Sequence, residues 1–203
     1  HNDAEEPHGD EGPVEEDHDE EIGDQGGKDP HIWLDPLRAV RMVGAITDAF
    51  MKEDPGKSAL YAERGDKLSA QILALHGEME EGLGDCRRKT IVYAGHFAFG
   101  YFIRRYGLES VSPYPGFSPD TEPSPSIIAD LIDYIRREEV KYIYHEELLD
   151  PRVGRVLAGE TDAELMLLHG AHNVSRNELE EGVSYIGIMK ENLEKLRLGL
   201  DCN

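Results

Sequence analysis

The sequence predicts an α/β fold: a parallel sheet of four strands flanked by helices, preceded by one long helix and an acidic, histidine-containing loop. Three observations carry this prediction. Four short apolar runs, at 91–94, 110–114, 141–144 and 164–168, alternate with helical patterns at 97–106, 125–139, 151–160 and 178–199. Such alternation calls for crossover connections, which make neighbouring strands parallel and lay helices over both faces. Upstream, Leu60, Leu68, Ile72, Leu75, Met79 and Leu83 recur at helical spacing and mark one helix from about Ser58 to Leu83. At about 1.5 Å per residue it spans on the order of 38 Å. Residues 1–28 hold Gly, Pro, Asp, Glu and His with almost nothing to bury. They cannot offset the entropy of ordering, so a disordered loop is expected there.

The punctuation of the chain fits these elements in order. Asp35 stands as N-cap and Pro36 as first residue of a helix over 37–52, which Asp54-Pro55-Gly56 ends. Gly107 closes the helix at 97–106, and Ser124-Pro125 and Asp150-Pro151 open the next two. Ser175 and Glu178 have capping-box spacing ahead of the last helix. Phe97, Phe99, Tyr101, Phe102 and Tyr106 read as one amphipathic helix with a packed face.

Charge narrows the function classes. The formal net charge is −21 and unevenly spread: residues 1–29 hold 13 acids against one lysine. Nucleic acids and anionic membrane surfaces select for Lys and Arg, so neither is expected as a partner. An acidic chain suits the capture of cations. No run approaches the roughly 18 apolar residues of a membrane span, and no signal peptide is visible at the N-terminus. Cys86 and Cys202 form no CxxC-type motif. Export would allow a disulfide that ties the C-terminus down; two reduced thiols fit the sequence equally well.

Histidine placement carries the chemistry. His31 sits between Pro30 and Pro36 in Asp29-Pro30-His31-Ile32-Trp33-Leu34-Asp35-Pro36, directly behind the acidic loop with His1, His8 and His18. An imidazole between helix-breaking prolines is poor core material and well placed as a metal ligand, and His-containing acidic tracts collect metal. Open parallel sheets bind ligands beyond the carboxyl ends of their strands. That rule selects His96, then His145 with Glu146 and Glu147, then His169 and His172. Among the histidines outside the loop only His76 falls mid-helix, where a surface residue is expected. Histidine with Asp and Glu is the ligand set of zinc and its neighbours, and nitrogen donors favour zinc over manganese. His145 could instead point into the sheet, and Glu146-Glu147 could merely solvate a helix start. A zinc hydrolase is the enzyme alternative, but no HExxH motif is present; serine chemistry lacks a GxSxG motif.

These motifs resemble one known family. Asp29–Pro36, then Gly95-His96-Phe97-Ala98-Phe99-Gly100-Tyr101-Phe102 with Arg105-Tyr106-Gly107-Leu108, are similar to the zinc- and manganese-specific solute-binding proteins of bacterial ABC importers. So are Tyr114-Pro115-Gly116-Phe117-Ser118-Pro119, running into Glu122-Pro123-Ser124-Pro125, and the stretch Tyr185-Ile186-Gly187-Ile188-Met189-Lys190-Glu191-Asn192-Leu193. The acidic loop resembles that of the zinc-selective branch.

The resemblance implies two α/β lobes joined by a long helix, with the metal in the cleft between them. It divides the chain into a loop at 1–28, the end of an N-terminal lobe at 29–56, a connecting helix at 57–87 and a C-terminal lobe at 88–203. His31 and His96 fall on family ligands, and His96 favours zinc because manganese-selective relatives tend to have a carboxylate there. A last ligand, often Asp or Glu, aligns with His172, with His169 as the alternative; His145, Glu146 and Glu147 are further candidates. The family's N-terminal lobe, with another histidine ligand, is not seen ahead of the loop, so a homodimer through the apolar surface it would cover is expected. The implied function is an extracytoplasmic receptor, periplasmic or lipid-anchored, that takes up Zn2+ and hands it to a membrane permease without catalysis. Its rivals are a manganese or iron receptor of the same family and a metal-stabilised, adhesin-like surface protein.

Overall fold

A computed structural model describes residues 29–114 and 123–203. The loop histidines His1, His8 and His18 and most of the Tyr114–Pro119 motif lie outside the described residues. A short 3-10 helix, Ile32–Leu34, leads into α1 (Pro36–Glu53), where the Asp35 carboxylate accepts the Leu37 N–H and Pro36 occupies the first turn. After Pro55–Lys57 comes α2 (Ser58–Gly84). Its apolar stripe divides in two. Ile72, Leu75, Met79 and Leu83 are buried, whereas Leu60 and Leu68 remain 38% and 40% exposed.

The second half holds β1 (Thr90–Tyr93), α3 (Gly100–Arg105), β2 (Glu109–Val111), α4 (Pro125–Arg137), β3 (Tyr142–His145), α5 (Arg152–Gly159), β4 (Glu164–Leu167), α6 (Arg176–Glu180) and α7 (Tyr185–Gly199). All strand pairs are parallel, in the order β2-β1-β3-β4. Side chains alternate across β1 as the pleat requires. Ile91 and Tyr93 join Met79, Phe102, Met189 and Leu196 on one face; Val92 and Ala94 join Leu131, Ile135 and Leu157 on the other. The predicted α/β class with helices on both faces is what forms.

The departures have local causes. The single helix expected over 178–199 is two, because Gly182 takes a φ of +77° and Ser184 starts α7 afresh by accepting the Gly187 N–H. Phe97 and Phe99 precede α3 instead of lying in it, so the aromatic run is a loop entering a short helix. Asp150 does not cap α5; its carboxylate pairs with Arg155 and Arg152, which hold it below the usual carboxylate range. His76 is no free surface residue, since its Nδ1 lies 3.0 Å from the Tyr106 hydroxyl and its Nε2 3.5 Å from Glu80. Cys86 and Cys202 are joined in a disulfide that ties the end of α2 to the C-terminal turn. Beside it the Arg88 N–H donates to the Leu200 carbonyl and the Arg87 N–H to that of Asp201.

Candidate metal centre

The loops beyond the carboxyl ends of β1 and β4 come against residues 29–35, and the loop beyond β3 stands behind them. Four hydrogen-bonded contacts fasten that segment. The Trp33 indole N–H donates to the Gly170 carbonyl at 2.9 Å, and the Tyr185 hydroxyl to the Trp33 carbonyl at 2.7 Å. The Tyr101 hydroxyl donates to the Asp29 carbonyl at 3.1 Å. Arg105 forks onto the buried Asp35 carboxylate at 2.9–3.2 Å, a charge-assisted pair that ties the start of α1 to α3. Burial and the nearby Asp35 charge push the Tyr185 phenol above its ordinary range, which keeps it a donor.

Three of the predicted histidines come together here. The ring centres of His31 and His96 are 4.9 Å apart, and those of His31 and His172 are 6.3 Å apart. Imidazoles sharing a tetrahedral zinc at about 2.0–2.1 Å per bond have ring centres roughly 5 Å apart. The first pair meets that spacing; the second is about an ångström too wide for it. Among the described residues no three His, Cys, Asp or Glu side chains stand close enough to enclose an ion as placed.

The polar neighbours fix ring orientation. His31 is 5% exposed, and both its backbone N–H and its Nδ1 meet Asp29 Oδ1, at 3.0 and 2.7 Å. Nδ1 therefore carries the proton and Nε2 keeps a lone pair for a ligand. The His96 N–H donates to Glu146 Oε1 at 3.0 Å, while its Nδ1 stands 4.0 Å from Oε2 of the same carboxylate, too far for a hydrogen bond. His172 Nδ1 lies 3.5 Å from Glu147 Oε1.

His169 is equally close by and differently engaged. Its Nδ1 accepts the Ala171 N–H at 2.9 Å, so in the neutral ring the proton sits on Nε2, which faces Glu178 Oε1 at 3.7 Å. Asn192 holds the same residue's backbone on both sides, accepting from its N–H and donating to its carbonyl. Neither ring nitrogen of His169 is left with a free lone pair, and the residue serves the loop.

Glu146 and Glu147 are buried at 9% and 6% exposure and do not solvate a helix start. After burial itself, their charges help push the Tyr93 phenol well above its ordinary value. His145 ends β3 with Nδ1 2.9 Å from the Glu146 carbonyl. It lines a cavity of about 340 Å³ together with His96, Glu146, Asp150 and Arg152, and neither His31 nor His172 reaches that cavity.

Sequence reasoning missed the partners. Asp29, Asn192 and Gly170 were not singled out, and Glu147 was named as a possible ligand and not as a residue behind one; Asn192 and Glu147 act on the loop after β4 from elements that no spacing rule connects to it. Gly170 matters through its missing side chain, since a Cβ there would strike the His172 ring.

Comparison with known proteins agrees with this arrangement. The family model described as zinc-uptake complex component A, periplasmic, matches residues 2–199. The high-affinity zinc uptake system protein ZnuA of Bacillus subtilis is 36% identical over 169 residues, covering 83% of this chain and 52% of that protein. The chain thus spans about half the length of that curated relative. The Zn(II)-bound ZnuA-like domain of Streptococcus pneumoniae AdcA superposes with a TM-score of 0.72 at 31% identity, over 85% of this chain and 64% of that one. The laminin-binding protein Lbp of Streptococcus pyogenes gives 0.73 at 27% identity, over 85% and 64%. A match from residue 2 to residue 199 takes in every helix and strand described above, and the chain belongs to the zinc-uptake complex component A family.

Proposed function

We propose that this chain is the metal-capturing part of a zinc-uptake receptor, which takes Zn2+ outside the cytoplasm and passes it to an ABC permease without transforming it. The observation that carries the reading is the convergence of His31 and His96 at 4.9 Å, with His172 beside them. In this proposal the three coordinate through Nε2, and a further donor or water completes the tetrahedron. His169, Glu146 and Glu147 stand behind the ligands, and His145 faces the neighbouring cavity. The chain divides as its motifs suggest: a collecting loop at 1–28, ligand motif and helix at 29–56, connecting helix at 57–87 and C-terminal lobe at 88–203. The relatives named for zinc uptake and zinc binding support the choice of metal. Among the described residues no helix is long and apolar enough to cross a membrane.

Competitive titration of the chain with zinc and manganese against a calibrated chelator tests this. The expected result is a tightest event of one zinc per chain, retained in excess manganese. Equal affinity for the two metals would favour a general divalent receptor. A metal that cannot be exchanged and whose removal unfolds the chain would favour the adhesin reading, for which the Lbp likeness is the specific support.

The α1–α2 hairpin leaves Ile46 and Phe50 more than half exposed, with Leu68 and Leu73 also open to solvent. Exposed apolar area of this kind seeks a cover. In our reading a second copy supplies it for the isolated chain, so sedimentation equilibrium should give a dimer mass that falls on Phe50→Asp; a monomer at all concentrations would refute this.

A further inference from the structure

Glu147 is a buried acid of the centre with one oxygen unused; Asp29 shares that property at Oδ2, but its other oxygen already holds the His31 ring, whereas neither oxygen of Glu147 has closed on an imidazole. Its side chain is 4% exposed, and Oε2 accepts the Gly170 N–H at 2.9 Å. Oε1 is buried with no hydrogen-bond partner. A buried carboxylate oxygen without a donor is costly, so such an atom calls for one. Two imidazole nitrogens face it: His169 Nδ1 at 3.7 Å and His172 Nδ1 at 3.5 Å. His169 cannot supply the proton, because its Nδ1 lone pair already accepts the Ala171 N–H. His172 is the donor that remains.

We propose that Glu147 is a positioning residue: it holds the His172 proton on Nδ1, turns Nε2 toward His31 and His96, and closes onto the ring when metal binds. The inference rests on the reading of His172 as a ligand. Asp29 and His31, paired at 2.7 Å, show the same arrangement already closed within this molecule. Carboxylates behind metal-bound imidazoles fix tautomer and orientation and raise basicity, and losing one typically weakens metal binding about 10- to 100-fold. Gly170 completes the device. Its N–H anchors one carboxylate oxygen, and its lack of a side chain leaves room for the His172 ring that the other oxygen faces.

Glu147→Gln separates this role from a structural one. The glutamine oxygen can keep the Gly170 N–H, but its NH2 then faces His172 Nδ1 and favours the opposite tautomer. Nitrogen-15 NMR of the metal-free chain should show the His172 proton on Nδ1 in the wild type, moved to Nε2 in Glu147→Gln and restored in Glu147→Asp. Zinc affinity should fall about 10- to 100-fold in Glu147→Gln with the melting temperature of the metal-free chain preserved. Unchanged tautomer and affinity in this variant, with zinc lost in His172→Ala, would overturn the inference alone. Zinc binding undiminished in His172→Ala would overturn the ligand reading beneath it. X-ray absorption should show one imidazole fewer around zinc in Glu147→Gln; loss of an oxygen neighbour instead would make Glu147 a ligand and refute the positioning role.

Discussion

Replacing His96 by alanine is expected to weaken zinc binding by roughly 100-fold while the fold survives. Tetrahedral protein zinc sites bind with about 10–16 kcal/mol, so each of four ligands carries about 3 kcal/mol, a factor on the order of 100. The substitution should be clean. His96 sits in the loop between β1 and α3, and what it gives Glu146 at hydrogen-bond distance is its backbone N–H, which alanine keeps. Its ring is not part of either apolar cluster. Chelator competition and thermal melting of the metal-free proteins, measured together, decide the matter: affinity within threefold of wild type would remove His96 from the ligand set. His96→Glu adds a second reading of the same position. A harder oxygen donor should move the preference toward manganese without abolishing binding.

Serine at both Cys86 and Cys202 is expected to cost about 2–5 kcal/mol of unfolding free energy. The bridge closes a loop with a sequence separation of 116 residues. On the chain-entropy account a loop of about 100 residues contributes about 4.7 kcal/mol by restricting the unfolded chain, and measured values for native bridges reach similar size. Urea denaturation of the oxidised wild type and the double variant measures it; a change below about 1 kcal/mol would mean that the backbone pairing of residues 87 and 88 with 200 and 201 suffices alone. Zinc affinity should be nearly untouched, because the bridge lies before the first residue of β1 and the histidines gather beyond the last.

These two sites also show what was legible in the sequence. The helices α1 and α4 were readable because Asp35, Ser124 and the prolines that follow them announce them chemically, α2 because apolar residues recur at helical spacing, and the strands because short apolar runs recur between helical patterns. His31 and His96 were readable from motif context. The break at Gly182 was not, since its cause is a backbone angle that Glu180, Glu181 and Ser184 do not advertise. The choice between His169 and His172 was beyond reach for a physical reason: both follow β4 by a few residues, and they part in what their Nδ1 meets, the Ala171 N–H for His169 and Glu147 for His172. Disulfide formation likewise depends on α2 and the C-terminal turn arriving side by side, which periodicity does not encode.

The stitching of Trp33 to Gly170 and of Tyr185 to Trp33 has a consequence for the order of events in the life of the molecule. His31, His96 and His172 are far apart along the chain and meet only after the strands have paired and the segment before α1 has docked on the loops beyond them. Contacts of such long range close late, because the entropy of the intervening loops must be overcome first. Partly folded chains therefore hold His31, His96 and His172 apart, whatever metal the 1–28 loop collects. On the proposed ligand set, occupancy of the centre would report completed folding, and a signal that responds to it would count finished molecules only.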